Sequence, residues 1–510
     1  MHVAALIMQR DGAAEPAVRA EPLLPAVSEL TLCPSRPKLE TVHEPHDPVI
    51  HDFAPHRPTS PAPTVSLDCE ALARTQTHPG PFPDLQLATI PTRLEEDTYG
   101  PPPDGGREAW LAVLSGALLF FTMFGFVTSF GQLKGYYLTH QLASYSQPAI
   151  AWIGTLQSTL TFFPSLFFGR LFDAHGPRLL VIAGTSLSFA ALLALSFCTA
   201  YPHFLLAHAL FGFATSMIWG PSASVCGHWF ARRRATAIGI VGCGSGFGGI
   251  IYPLLLKALL DRLPFRPALL IVAGMNAVLM LPAWLWLRAR LPPRRPAPWP
   301  ALASPWRSRA FTFLALGAAL SMLNMFTPYF DAPAIAPAPL REYAIAILQA
   351  GSFAGRATSG VIADRYGAWR VYVALALLTS ATLFAFWCAT PMPTAAAVAG
   401  LCGYGFASGA WITLVSAVTA AIAPPEELGT WIGVLWTAIS LPILAGPVIS
   451  GVLIEKAGGA FTYAGVFCGA TYLVGTGLTV MPWVLGRVAS RQKENDEEQE
   501  KPETAHQEER

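Results

Sequence analysis

Residues 235–256 read ATAIGIVGCGSGFGGIIYPLLL. From Gly244 the segment spells G-x-G-x-x-G, the spacing of a dinucleotide-binding turn. Such a turn needs a strand before it, a helix after it and an acidic residue about 20 positions further on. Here the glycines lie inside one unbroken apolar run. There is no polar turn and no strand alternation, and Asp261 stands at the far end of the run. On a helix, Gly242, Gly246, Gly249 and Pro253 share one face, and Gly244 and Gly248 form a neighbouring row. Rows of small residues let membrane helices approach closely. The segment therefore reads as a packed membrane helix, with Gly242, Gly246 and Gly249 as packing positions and no nucleotide cofactor.

The composition agrees. The chain is 53% hydrophobic and 13% charged, against roughly 25% charged residues in soluble domains. A net charge of +1 gives no case for nucleic acid. None of the eight cysteines form a C-x-x-C pair, and they read as small apolar packing residues. No cluster of nucleophile, base or metal ligands stands among the apolar runs. The chain is therefore expected not to be an enzyme and to hold no cofactor or metal. MHVAALIMQRDG has too short an apolar run for a signal peptide. Residues 1–104 are rich in Pro, His and Thr and read as a disordered tail. Within it, His43, His46, His51 and His56 read as solvated rather than metal-binding. Residues 488–510 read as a second, charged tail.

Between the tails, twelve apolar runs are long enough to cross a bilayer. They lie near 109–131, 149–169, 179–199, 203–226, 235–258, 267–287, 309–330, 343–362, 370–390, 393–421, 429–453 and 462–486. The basic, Pro-rich segment 288–309 divides them into six and six, giving halves at 105–287 and 310–487. Arg170, Arg178, Arg233, Arg288, Arg365 and Arg370 follow even-numbered runs, which places those loops and both tails in the cytoplasm. GRLFDAHGPR (169–178) follows the second run, and GVIADRYGAWR (360–370) follows the eighth. Both contain G-x-x-x-D-x-x-G and then Arg. Two related six-helix halves fit a transporter with its substrate site between them. The fold class is thus an all-α membrane protein of twelve transmembrane helices in two pseudo-symmetric halves.

Arg356 is the charge that stands out. It lies 8 positions before Asp364, about 12 Å into a helix at 1.5 Å per residue. The hydrocarbon is about 30 Å thick, so this is near its middle. A cation there normally faces a cavity or a partner. Gln349, Ser352 and Phe353 share its face. A guanidinium with polar neighbours suits a carboxylate. Asn324, Tyr404 and Gln157 are further substrate-site candidates, with His208, Tyr329 and Trp411 behind them.

These features together resemble the major facilitator superfamily, and within it a fungal monocarboxylate-porter-type transporter. PDGGREAW (103–110), HWFARRRATAIGIVGCGSGFGGIIYP (228–253) and LAGPVISGVL (444–453) are similar to that family's segments. The resemblance covers roughly 103–487. It implies that Gly169, Asp173, Gly176, Arg178, Gly360, Asp364, Arg365 and Gly367 form a conformational latch. It also implies that Arg356 is the helix-eight arginine. Two departures stand out. Ser352 occupies the place of an Asp in animal members, and their helix-one Lys falls near Ser129, with Lys134 further along. Coupling through those residues is therefore not implied.

The resemblance implies alternating-access transport, secondary active or facilitative. The expected solute is a small organic one, a monocarboxylate or carboxylated metabolite, with a proton as the candidate second ion. Efflux of a secondary metabolite or uptake of a vitamin such as riboflavin is the alternative. A non-transporting receptor is the alternative from another class. The expected setting is a monomer in the plasma membrane, with vacuolar or other internal membranes as the alternative.

Overall fold

The computed structural model describes residues 100, 102–230, 233–292, 302–388, 392–424 and 427–482. The chain divides into a unit of residues 1–75, wholly outside the described residues, and a unit of residues 76–510 that holds every described element. The two tails read from the sequence, and the four histidines in the first, also lie outside them.

Among the described residues, ten helices are long and apolar enough to cross a membrane. They are α1 (Arg107–Thr139), α3 (Pro177–Ser196), α4 (Tyr201–Trp229), α5 (Thr236–Leu260), α6 (Phe265–Trp286), α7 (Arg309–Ile335), α9 (Ala368–Trp387), α10 (Thr394–Ile422), α11 (Leu428–Lys456) and α12 (Thr462–Pro482). Two more complete the series. α2 runs as Gln147–Phe162 and Ser165–His175, broken at Pro164. α8 (Ala344–Tyr366) is less apolar because it carries Gln349, Ser352, Arg356, Asp364 and Arg365. The layout is consistent with the twelve helices expected. Two boundaries move outward. α1 reaches Thr139, and α7 continues through Asp331 to Ile335, so the segment from Asp331 onward begins inside a helix rather than in a loop.

Glycine sets how closely the helices pack. A Cβ on Gly405 of α10 would fall 1.9 Å from the Leu348 carbonyl oxygen of α8, and one on Gly355 of α8 would fall 2.1 Å from that of Phe406. The first half repeats the arrangement, with Gly212 of α4 against the Gln157 carbonyl of α2 at 2.2 Å. Gly244 and Gly248 of α5 meet the Ala117 and Phe121 carbonyls of α1 at 2.1 and 2.2 Å, and Gly446 of α11 meets Leu323 of α7 at 1.6 Å. Helices cross this closely only where no side chain intervenes.

Both Asp-bearing turns end a helix and start the next within one residue. Gly176 (φ 74°) and Gly367 (φ 89°) hold a backbone conformation that other residues adopt only with strain. That explains the last glycine of the repeated motif. The PDGG segment has a physical role too. The Asp104 N–H donates to the Trp229 carbonyl at 3.1 Å, and its carboxylate accepts from the Arg233 N–H at 3.3 Å. The start of α1 is thus tied to the turn between α4 and α5.

A midplane site between the two halves

Four helices are interrupted near their middles. α1 breaks at Ser129, whose Oγ donates to the Gly125 carbonyl at 2.6 Å. Ser and Thr bonding back to the preceding turn bend helices in this way. α7 breaks at 324–326, α2 at Pro164 and α11 at the 3-10 turn Leu441–Leu444. In transporters, interrupted helices mark the substrate site at the interface of the repeats.

Arg356 lies near the middle of α8 and is half-buried. Its Nη1 donates to Ser245 Oγ of α5, in the other half, while Nε has no partner. The Tyr329 hydroxyl of α7 lies beside it and reaches Ser352 Oγ and Ser408 Oγ, each at 3.4 Å. Two turns before Arg356 on α8, Gln349 is fully buried, and among the described residues neither its Oε1 nor its Nε2 has a partner. A buried polar group without a partner costs free energy, about 1–3 kcal/mol. A buried amide with both ends open, on the same helix face as an arginine with an open donor, suits a polar ligand.

Aromatic rings continue the site across the halves. Phe162 of α2 stacks on Trp436 of α11 at 5.1 Å and lies 6.4 Å from Phe326 of α7. Trp219 of α4 meets Trp436 edge-on at 5.0 Å, and Phe326 lies 6.2 Å from Tyr329. The rings therefore run from Trp219 to the Arg356 hydroxyl neighbour without leaving the interface. No single helix carries enough of them to reveal the cluster in the sequence.

Arg356 and Ser352 share the Tyr329 hydroxyl as a neighbour, and Gln349 stands on the same helix. The other candidates have different surroundings. Asn324 is fully buried and hydrogen-bonded. Its Nδ2 donates to Thr471 Oγ1 at 2.9 Å, and its Oδ1 accepts from Thr327 Oγ1 at 3.2 Å. It pins the break in α7. Tyr404 donates to the Met325 carbonyl at 2.8 Å and so satisfies a carbonyl freed by that break. Both residues thus support the broken helix. Gln157 accepts from His208 Nδ1, His208 Nε2 meets the Tyr137 hydroxyl at 3.0 Å, and Gln157 Nε2 has no partner. Gln157 thus belongs to a buried cluster inside the first half. The Trp411 indole N–H has no partner, and its ring stacks on Tyr372 at 5.5 Å.

The glycine face of α5 divides. A Cβ on Gly246 would lie 2.8 Å from Phe353 Cδ2, and one on Gly249 would lie 2.3 Å from Gln349 Nε2, so both seat α8 against α5. Gly242 would meet nothing within 4 Å, which corrects its reading as a packing position. The halves touch at and beyond Ser245, and Gly242 lies short of that contact. Gly246→Leu is therefore expected to wedge the halves apart while each half stays folded. Purified variant protein should elute as one species but turn over several-fold more slowly. Turnover equal to wild type would show that this contact is not compressed during the cycle.

The turn residues behave less uniformly. Gly176 and Gly367 are explained by their φ angles, whereas Gly169 and Gly360 face open space. Asp173 and Arg178 are exposed at the first turn. At the second, Asp364 and Arg365 are exposed, and Asp364 makes no ion pair among the described residues. Arg365 lies over the Tyr366 ring at 5.6 Å.

One ionic contact escaped the sequence reading. Lys134 of α1 and Asp331 of α7, both buried, form an ion pair across the halves. The signal was an acidic residue directly after an apolar run, masked by the prolines that follow it.

A bundle of apolar helices in two similar halves, with interrupted helices and a polar centre between them, defines a multi-pass membrane transporter. The family model of the Major Facilitator Superfamily matches residues 109–415 and 341–508, and the chain belongs to that family. The MFS transporter asaE of Aspergillus flavus is 32% identical over 77% of this chain and 90% of its own length. The aspyridones efflux protein apdF of Emericella nidulans is 35% identical over 74% of this chain and 77% of its own. The fujikurins efflux protein of Gibberella fujikuroi is 31% identical over 74% and 83%. Among solved structures, a POT family transporter in complex with 5-aminolevulinic acid superposes with a TM-score of 0.62 at 14% identity, covering 79% of this chain and 99% of that one. The human organic anion transporter MFSD10 gives a TM-score of 0.53 at 16% identity, covering 73% and 98%. These two likenesses concern the fold.

Proposed function

We propose that the protein exports a small acidic organic metabolite with a flat, apolar framework. The observation that carries this reading is the pairing of Arg356 and the orphan Gln349 amide with a row of aromatic rings across the halves. A guanidinium and an amide suit a carboxylate or an acidic enol oxygen. Aromatic faces suit a planar ring system. The efflux names of the fungal relatives support export over uptake. No relative described above is named for a monocarboxylate, so the acid is not restricted to that class. The segments 105–287 and 310–487 act as the rocking halves. The protein works as a monomer in the plasma membrane, with both termini in the cytoplasm.

The test compares host cells with and without this protein. Each is loaded with a panel of carboxylates, acidic pyridones and other enolic acids, vitamins and neutral controls, under an imposed pH gradient. Lower retention of a planar acid in expressing cells is the expected result. Equal retention of every acid would sink the reading, and higher retention would reverse its direction.

A further inference from the structure

We infer that Lys134 and Asp331 form an ion lock between the halves, and that Asp331 binds the proton that lets it open. This rests on the transport reading above and adds a proton site separate from the Arg356 centre. Lys134 stands on the second segment of α1, Phe130–Thr139, and Asp331 on the second segment of α7, Thr327–Ile335. Both side chains are nearly inaccessible, at 5% and 2% exposure. Of the three ion pairs among the described residues, this is the buried one. The contact around it is tight. A Cβ on Gly131 would lie 2.3 Å from the Tyr329 carbonyl oxygen, and Phe130 meets Phe330 edge-on at 4.9 Å.

Its position gives the pair a task. α1 and α7 end on the face opposite the Asp-bearing turns. The other ion pair joining the halves, Lys257 of α5 with Glu342 just before α8 at 3.0 Å, lies on that same face. Pro148 and Gly451 also meet there. Opening this face must separate Lys134 from Asp331. Two charges that share their desolvation cost while paired then face it singly. Lys134 can reach water through its long stem. Asp331 has a short side chain, and the remedy for a carboxylate in an apolar setting is to take up a proton.

The carboxylate is already half-served. Oδ1 accepts from Lys134, while Oδ2 is buried and has no partner. The ionisable groups set against Asp331 are the Lys134 ammonium from α1 and the Cys468 thiol from α12. Among the described residues, α8 and α11, which also pack on this part of α7, place no ionisable side chain in contact with it. One proton from water on the opposite face adds to a carboxylate oxygen as the pair parts. The same proton leaves when Lys134 returns, and Lys134 keeps its own protons throughout. The proton is released to water on that same face as it closes, so the lock makes opening of this face depend on its pH.

The test reads the lock without any transport substrate. A cysteine replaces Phe330 at the inter-half contact, in a full-length protein whose native cysteines are serine. Labelling by a water-soluble maleimide is followed in detergent between about pH 8 and about pH 5, each rate divided by that of a fully exposed single cysteine at the same pH, because the thiolate is the reacting form. In the protein with the lock intact, labelling should rise severalfold on acidification. Asp331→Asn should label rapidly at every pH. The double change Lys134→Gln with Asp331→Asn leaves no lone charge, guards against misfolding, and should behave in the same way. The readout needs no transported solute, so a fault in the substrate reading cannot imitate a fault in the lock. Labelling that ignores pH in the intact protein, or a pH response that survives in the double variant, would overturn the proposal.

Discussion

Arg356→Ala is expected to lower export of the protein's acidic solute by about ten- to a hundredfold and to remove its saturation. That range is the loss of a hydrogen bond to a charged group, about 1.5–3 kcal/mol. The guanidinium has one donor on Ser245 and an Nε with no partner, so it holds donors in reserve for a ligand. The substitution also deletes the bond to Ser245, which joins the halves. Ser245→Ala separates the two effects, because it removes the same bond and keeps the charge. It should change the rate far less. Arg356→Lys keeps the charge and loses the planar fork, so it should fall between them. The measurement is the initial rate against concentration in vesicles, using the compound found by the retention assay and normalised to protein in the membrane. Wild-type kinetics in Arg356→Ala would end the claim that this arginine holds the solute.

How far the sequence reveals this site depends on the type of signal. A charge inside an apolar run shows itself, and so Arg356 was legible as a charge within a helix. The Asp-bearing turns were legible because their last glycines, Gly176 and Gly367, hold positive φ, which restricts the residue type. Asp331 was not legible. The prolines after it suggest a loop, yet Pro333 lies inside the helical segment. Pro333 lacks the N–H that would bond the Tyr329 carbonyl. That carbonyl is where Gly131 packs. The break and the proline thus serve the crossing of α1 and α7 rather than ending α7. Asn324 and Tyr404 show the converse, a role in the fold that the sequence does not display. A polar residue in an apolar run suggests a ligand contact, and the sequence cannot show that a broken helix has already claimed its hydrogen bonds. The aromatic row was hidden because Phe162, Trp219, Phe326 and Trp436 come from four helices. Only the fold makes them neighbours.

The same contrast fixes the largest expected effect on stability, which falls on Gly405. Four glycines form the seam between α8 and α10. Cβ atoms on Gly351, Gly355, Gly405 and Gly409 would lie 2.3, 2.1, 1.9 and 2.6 Å from carbonyl oxygens of the facing helix. Backbone cannot step aside as a side-chain tip can. Gly405→Leu must therefore push the helices apart along the seam. Overpacking costs about 1–3 kcal/mol where side chains yield, and here backbone must yield. The seam also sets the depth of Gln349, Ser352 and Arg356, since all three ride on α8. The variant is expected to be lost as aggregate, or to melt well below wild type in detergent, and to carry no export activity. Gly405→Ala adds only the Cβ and should already lower the melting temperature. Gly242→Ala is the matched control, because that Cβ would meet nothing within 4 Å, and it should melt as wild type does. Fluorescence-detected size exclusion and thermal unfolding of the three proteins decide the matter. If Gly405→Leu elutes and melts like Gly242→Ala, the two helices do not need their close crossing, and the placement of the α8 side chains in the site loses its physical basis.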